Sequence, residues 1–321
     1  MRLATFHQAD GTTRAGRIDG GEVVLLPMAG VGELLGSGED WLESASRAGA
    51  RVPLAGAEFG RLISQPSKVF CIGRNYLAHI REGNPDAELP RFPEIFIKFA
   101  DSLTGPYEDI PLPAGSGSTS LREAIGGAAQ APTVSVPVES DFVDWEAELV
   151  LVIGKAVRRA SEQQAEAAIA GFTVGNDISV RDWQFHTSQW TQGKAWEAMS
   201  PVGPMLVTAD ELGVRPDFQI RCLVDDEVMQ DSRTSDMLFD PVELVAYISR
   251  IVTLRPGDMI FTGTPSGVGF ARRPQVYVRP GQVLTTEIDG IGKIVNTFVA
   301  EDLGLDDDQN DSEGARVTSS R

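Results

Sequence analysis

Asp144-Trp145-Glu146-Ala147-Glu148-Leu149-Val150-Leu151-Val152-Ile153-Gly154 is the stretch from which the fold can be read. It is a strand with an acidic head, an apolar body and a glycine at its end. Successive strand side chains face opposite ways, so Glu146 and Glu148 point to the same side. Outward from it, further short strands are expected in KVFCIG (68–73), EIFIKF (94–99), FTVGND (172–177), GPMLVT (203–208), FQIRCLV (218–224), DMIFTGT (258–264), QVLTTEI (282–288) and KIVNTFV (293–299). Two Arg-Pro-Gly turns, at 255–257 and 279–281, each launch one of these strands. Proline presets the first central residue of such a turn and glycine supplies the positive φ of the second. Asp289-Gly290 turns the last hairpin.

Helical signals are few. Ser161 with Gln164 forms a capping box, and Gly171 stands where that helix is expected to end. Asp240-Pro241-Val242-Glu243 supplies a second N-terminus ahead of LVAYISRI. Many strands, few helices and no regular alternation of the two predict an α+β, β-rich mixed roll rather than a doubly wound sheet.

The organisation follows from composition. Residues 1–65 read as a small N-terminal domain, with strands LATF and EVVLLP between Gly-rich turns. Pro66 and Ser67 separate it from a main body over 66–303. Residues 114–135 are small, polar and Gly-rich and read as a surface insertion. Residues 304–321 are expected to be an acidic, disordered tail. The whole chain of 321 residues carries a formal charge of −18, which opposes binding to a nucleic-acid backbone. No run approaches the ~18 apolar residues of a membrane span, and the start lacks a signal core. Cys71 and Cys222 lie in apolar strand contexts and read as buried thiols. A cytoplasmic location without nucleic-acid or membrane partners is expected.

The chemistry gathers in five places. Glu146 and Glu148 are either two solvated carboxylates on an open strand face or a pair held together by a hard divalent cation. Asp177 closes an apolar strand, where it caps a helix or offers a third oxygen ligand. Lys194 follows Gly193 in an irregular segment and is either a surface lysine or a group that steadies an enolate. His79 and Glu82 are three apart, hence neighbours on a helical turn. They are a surface pair or a base with its orienting carboxylate. The loop from Thr262 to Gly269 is a tight turn or an anion-holding loop.

Together these segments resemble the fumarylacetoacetate hydrolase superfamily over roughly residues 66–300. The motifs fall in the family's order: KVFCIGRNYLAHIRE, FIKFADSLTGP, DWEAELVLVIG, FTVGNDISVRDWQ, QWTQGKAWEAMSPVGPMLVT, TSDMLF, LRPGDMIFTGTPSGVG and IDGIGKIVNTFV. The nearest branch is that of the acylpyruvases and 2-hydroxyhepta-2,4-diene-1,7-dioate isomerases. The resemblance implies a homodimer holding Mg²⁺ or Mn²⁺, with Ca²⁺ a further oxygen-loving ion, through Glu146, Glu148 and Asp177. It implies catalytic roles for His79, Glu82, Lys194 and Gln184, and contact with a small 2-oxo acid by Arg74, Lys98, Arg181, Thr264 and Gly267. The expected reaction is hydrolysis of a C–C bond in an acylpyruvate-type 2-oxo acid through an enolate. Isomerisation of a 2-hydroxyhepta-2,4-diene-1,7-dioate type compound and decarboxylation of oxaloacetate use the same enolate and stay open. The non-enzymatic alternative is a catalytically weak metal-binding dimer.

Overall fold

The computed structural model describes residues 1–38, 40–82, 84–113 and 140–300. The insertion expected at 114–135 and the tail expected at 304–321 lie outside them. Among the described residues the chain builds two sheets of size. The larger has eleven strands and runs Arg51–Pro53, Glu22–Leu25, Thr13–Asp19, Arg2–His7, Ser200–Thr208, Ile169–Asn176, Ala147–Ile153, Met259–Phe261, Val69–Gly73 and Glu94–Lys98, with Leu103–Thr104 beside Ser200–Thr208. The smaller has five strands: Glu227–Arg233, Gln219–Val224, Val283–Ile288, Gly292–Ala300 and Ile110–Leu112. Most pairings are antiparallel, but Val69–Gly73 lies parallel to Met259–Phe261. This is the mixed, β-rich α+β architecture expected of the sequence.

The N-terminal strands extend the larger sheet. Leu3 pairs with Leu206, so residues 1–65 continue the main body's own hydrogen-bond ladder. Among the described residues no helix is long and apolar enough to cross a membrane.

The Ala147–Ile153 strand is buried along its whole length because both faces are covered. Leu149, Leu151 and Ile153 enter a core shared with Ile220, Leu284 and Phe298 of the smaller sheet. Val242, Leu244, Val245 and Ile248 of the Pro241–Ile251 helix join the same core. Val150 and Val152 enter the opposite core, with Val69, Cys71 and Phe261 and with Leu26, Leu34 and Leu62 from the N-terminal segment. Each such aliphatic side chain contributes roughly 1.5–3 kcal/mol when fully buried. Glu146 and Glu148 share the parity of Val150 and Val152, so they stand at the end of a face that is otherwise apolar.

Both capping boxes form: Ser161 with Gln164, and Asp240 with Glu243 under Pro241. The Asp240 carboxylate accepts from Val242 N at 2.8 Å and Glu243 N at 2.9 Å. The first helix is shorter than its signals suggest. It spans Glu162–Glu166 with Ala167 as C-cap, and Gly171 lies inside the next strand. There the backbone of the neighbouring strand approaches closely, and a Cβ on Gly171 would meet Val207 O at 2.1 Å. Packing against that strand, and not helix termination, is what requires glycine. Cys71 and Cys222 are both buried free thiols, and burial raises both above the ordinary thiol range.

Candidate active site

Strand register assembles the acidic cluster. Ala147 pairs with Asn176, and Asp177 N donates to Glu146 O at 2.8 Å just beyond the ladder's end. Asn176 locks the junction: its Oδ1 accepts from Glu146 N at 2.9 Å and its Nδ2 donates to Thr286 Oγ1 at 2.9 Å. One oxygen each of Glu146, Glu148 and Asp177 then lies within 4.8 Å of the other two. All three residues are buried, so the solvated reading of the glutamates does not describe this fold.

Two lysines reach the cluster from distant segments. Lys98, at the end of Glu94–Lys98, places Nζ 2.7 Å from Asp177 Oδ1 and also donates to Lys194 O. Lys194, on the short helix Thr191–Lys194, places Nζ 2.6 Å from Glu146 Oε2 and 3.0 Å from Asp177 Oδ2. It is 2 % exposed, which removes the surface-lysine reading. Gly193 makes this approach possible, because a Cβ there would lie 2.5 Å from Gln184 N. Arg181, also buried, joins Glu146 Oε1 at 2.7 Å, Gln184 Oε1 at 2.9 Å and Asp144.

The charges do not cancel. Asp144, Glu146, Glu148 and Asp177 are four buried carboxylates, against the three buried cations Lys98, Arg181 and Lys194. Burial pushes Glu146 up, but Lys194 and Arg181 outweigh it and bring it down to about 2. Glu148 has no ion-pair partner among the described residues and accepts from Gly263 N at 2.7 Å. Burial first, then repulsion from Asp177 and Glu146, raises it well above the ordinary carboxylate range. Burial opposes the charge on Lys194, yet Asp177 and Glu146 keep it protonated. An oxygen-only donor set with an uncompensated carboxylate suits a hard divalent cation such as Mg²⁺ or Mn²⁺.

Above the cluster lies a cavity of about 230 Å³. Glu146, Arg181, Gln184, Lys194 and Thr264 form its polar part, while Phe96, Phe185, Trp190, Val268 and Phe270 form an apolar wall. His79 enters from the Leu77–Glu82 helix. Its Nδ1 is 3.0 Å from Glu82 Oε2, and Glu82 Oε1 accepts from Gly267 N at 2.6 Å. A carboxylate on Nδ1 leaves Nε2 as the nitrogen free to take a proton. The expected pair therefore forms on a helical turn and faces the cavity.

Of the other expected contacts, Arg74 and Thr264 also line the cavity, whereas Lys98 and Gly267 do not. Arg74 stands at the rim, about half exposed, with Nε 2.7 Å from Glu94 Oε2. Lys98 is buried beneath the cavity rather than lining it. Thr264 Oγ1 donates to Ala147 O at 2.9 Å and accepts from Gln230 Nε2 at 2.8 Å. The 262–269 loop does hold anions through its amides, but they are the protein's own: Gly263 N serves Glu148 and Gly267 N serves Glu82. Sequence reasoning passed over Asn176, Gln230 and the aromatic wall, which carry no local signal. Asp144 was assigned no role either, although it shares the sequence parity of Glu146 and Glu148. A larger hollow of about 360 Å³ lies under the N-terminal strands. Its charged groups are engaged locally: Arg61 lies 3.6 Å from Glu108, and Glu33 accepts from Ala29 N at 2.7 Å.

The family model described as Fumarylacetoacetate (FAA) hydrolase C-terminal matches residues 68–299. The chain is 40% identical over 273 residues to "Oxaloacetate tautomerase FAHD2A, mitochondrial" of Bos taurus, covering 83% of this chain and 79% of that protein. Among solved structures it is similar to 2-hydroxyhepta-2,4-diene-1,7-dioate isomerase from Mycobacterium marinum, with 29% identity, a TM-score of 0.70 and coverage of 94% and 99% of the two chains. It is also similar to fumarylpyruvate hydrolase from Pseudomonas aeruginosa in complex with Mn²⁺ and pyruvate, with 32% identity, a TM-score of 0.58 and coverage of 73% and 90%.

Proposed function

Since the chain belongs to the fumarylacetoacetate hydrolase superfamily, we propose that its cavity moves a proton at the carbon beside the oxo group of a short 2-oxo acid, with keto–enol tautomerisation of oxaloacetate as the foremost reaction. The observation that carries this reading is that two proton-handling side chains, His79 and Lys194, line one small cavity over the same three carboxylates. The oxaloacetate tautomerase of Bos taurus, 40% identical, supports the choice of substrate.

Glu146, Glu148 and Asp177 would hold Mg²⁺ or Mn²⁺, and the Pseudomonas relative bound to Mn²⁺ and pyruvate supports both the ion and the 2-oxo acid. Bound there, the cation supplies Lewis acidity, drawing charge from the 2-oxo oxygen and so acidifying the adjacent C–H. His79 Nε2 takes a proton from that carbon, with Glu82 holding the ring and stabilising the imidazolium. Lys194, kept protonated by Glu146 and Asp177, offers an N–H to the oxygen that gains charge. Returning the proton to oxygen gives the enol, and returning it to carbon gives the keto form. The aromatic wall limits water around these groups.

Hydrolysis of an acylpyruvate is a second reading, and the Glu82–His79 contact favours it. The same Nε2 positioned over a water would deprotonate it for attack on the distal carbonyl. The test is a panel of oxaloacetate and acylpyruvates, followed by loss of enol or diketone absorbance, with Mn²⁺, Mg²⁺ or chelator. Metal-dependent acceleration of oxaloacetate enol–keto exchange is expected, lost on chelation. No acceleration above the metal alone would overturn the tautomerase reading. Acylpyruvate cleavage without it would install the hydrolase reading in its place.

A further inference from the structure

We propose that Asp144, a carboxylate outside the triad, is a positioning residue that decides which oxygen of Glu146 faces the cation and where the Phe270 wall stands. Asp144 is fully buried. Its Oδ2 accepts from Arg181 Nε at 2.8 Å and from Phe270 N at 2.9 Å, and lies within ion-pair distance of Arg181 Nη2 at 2.7 Å. Its Oδ1 accepts from Gly269 N at 2.7 Å and from its neighbour Trp145 N at 2.8 Å. Little acceptor capacity remains for any other role.

The consequence lies in what Arg181 has left. A guanidinium is a rigid planar fork, and Asp144 occupies one edge of it. The remaining nitrogen, Nη1, donates to Glu146 Oε1 at 2.7 Å and to Gln184 Oε1 at 2.9 Å. Glu146 Oε1 is thereby committed away from the triad. Its Oε2 shares Lys194 Nζ with Asp177 Oδ2, at 2.6 and 3.0 Å, and is the oxygen on the cluster side. With Asp144 removed, the Nε–Nη2 edge of the fork loses the carboxylate that holds it. Arg181 could turn to engage both oxygens of Glu146 and compete with the cation for them.

The same carboxylate fixes the wall. Its bonds to Gly269 N and Phe270 N anchor the backbone that carries the Phe270 ring. Arg181 lies 5.9 Å from that ring's centroid. One residue off the cavity thus couples the geometry of its acidic floor to that of its apolar side.

The inference rests on the metal reading of Glu146, Glu148 and Asp177, and the experiment separates the two. Mn²⁺ Kd is measured by titration calorimetry on the full chain for wild type, Asp144→Asn, Arg181→Lys and Asp258→Asn. Asp258 is an equally buried carboxylate, tied to Lys68 Nζ at 2.8 Å and Arg255 N at 2.7 Å, outside the cavity. Asp144→Asn and Arg181→Lys are expected to weaken Mn²⁺ about tenfold, the lower end of the effect for a partner that orients a ligand. Asp258→Asn is expected to lower Tm and leave Mn²⁺ Kd unchanged. A folded Asp144→Asn protein that binds Mn²⁺ like wild type overturns the inference. If Asp144→Asn does not fold, Arg181→Lys decides, because a lysine cannot serve Asp144 and Glu146 at once. A wild-type chain that binds no Mn²⁺ overturns the metal reading beneath it.

Discussion

Glu148 is the residue on which the site turns. Glu146 is balanced by Lys194 and Arg181, and Asp177 by Lys98 and Lys194, but Glu148 has one backbone amide and, among the described residues, no ion-pair partner. Burial and two like charges make its ionised form costly, and a divalent ion relieves that cost directly. Glu148→Ala is therefore expected to abolish calorimetrically detectable Mn²⁺ binding while the protein stays folded, since the substitution removes a repulsive carboxylate. Retained affinity would exclude Glu148 from the ligand set. Its shared facing with Glu146 was readable from strand alternation. Its lack of a counter-ion was not, because that depends on where Lys98, Arg181 and Lys194 arrive in three dimensions.

At the scale of elements, the short helix Leu77–Glu82 brings His79 to the cavity. It is too short to be stable alone and is held by its surroundings. Ala78 N donates to Asp236 Oδ2 at 3.1 Å, and Glu82 is fastened by Gly267 N. Glu82→Gln keeps the size of the side chain but removes the charge that orients and stabilises the His79 ring. It is expected to lower kcat about 10²-fold or more, the range for impaired general base catalysis, with Mn²⁺ Kd unchanged. Equal kcat in a metal-saturated assay would remove the pair from the chemistry. The spacing of His79 and Glu82 showed that they could meet on a helical turn. That Glu82's second oxygen would be fixed by a loop 185 residues away was not in the local pattern. The glycine-rich loop illustrates the same limit. Its amides were legible as an anion site, but the anions proved to be side chains of this chain.

The whole molecule couples the cluster to stability. In the metal-free protein Glu148 has its pKa raised above the ordinary 4.5. Its contribution is complete below that value and is lost as pH rises through the raised one. Glu146, lowered to about 2, has the opposite sign: its contribution is present above 4.5 and is lost as pH falls towards about 2. A cation binds Glu148 in its ionised form and so competes with a proton there, which means stabilisation by Mn²⁺ should grow with pH. Saturation at a hundred times Kd adds about 2.7 kcal/mol of stability. Thermal unfolding with and without Mn²⁺ between pH 5.5 and 8 is the measurement. A gain in Tm that does not increase with pH would mean that Glu148 is already ionised without metal.

The sequence by itself determined the β-rich class, the turns, both helix starts, the common facing of Glu146 and Glu148, and the residue types suited to a hard cation. These are local properties, set by the two-residue period of a strand, by capping groups and by turn dihedrals. Tertiary structure alone decided that Asp177 lies beside Glu146, that Lys98 and Lys194 enter the cluster, and that Asp144 holds Arg181 edge-on. Those facts follow from strand register and from long-range packing around a doubly covered strand, where a partner's distance along the chain has no bearing on its distance in space.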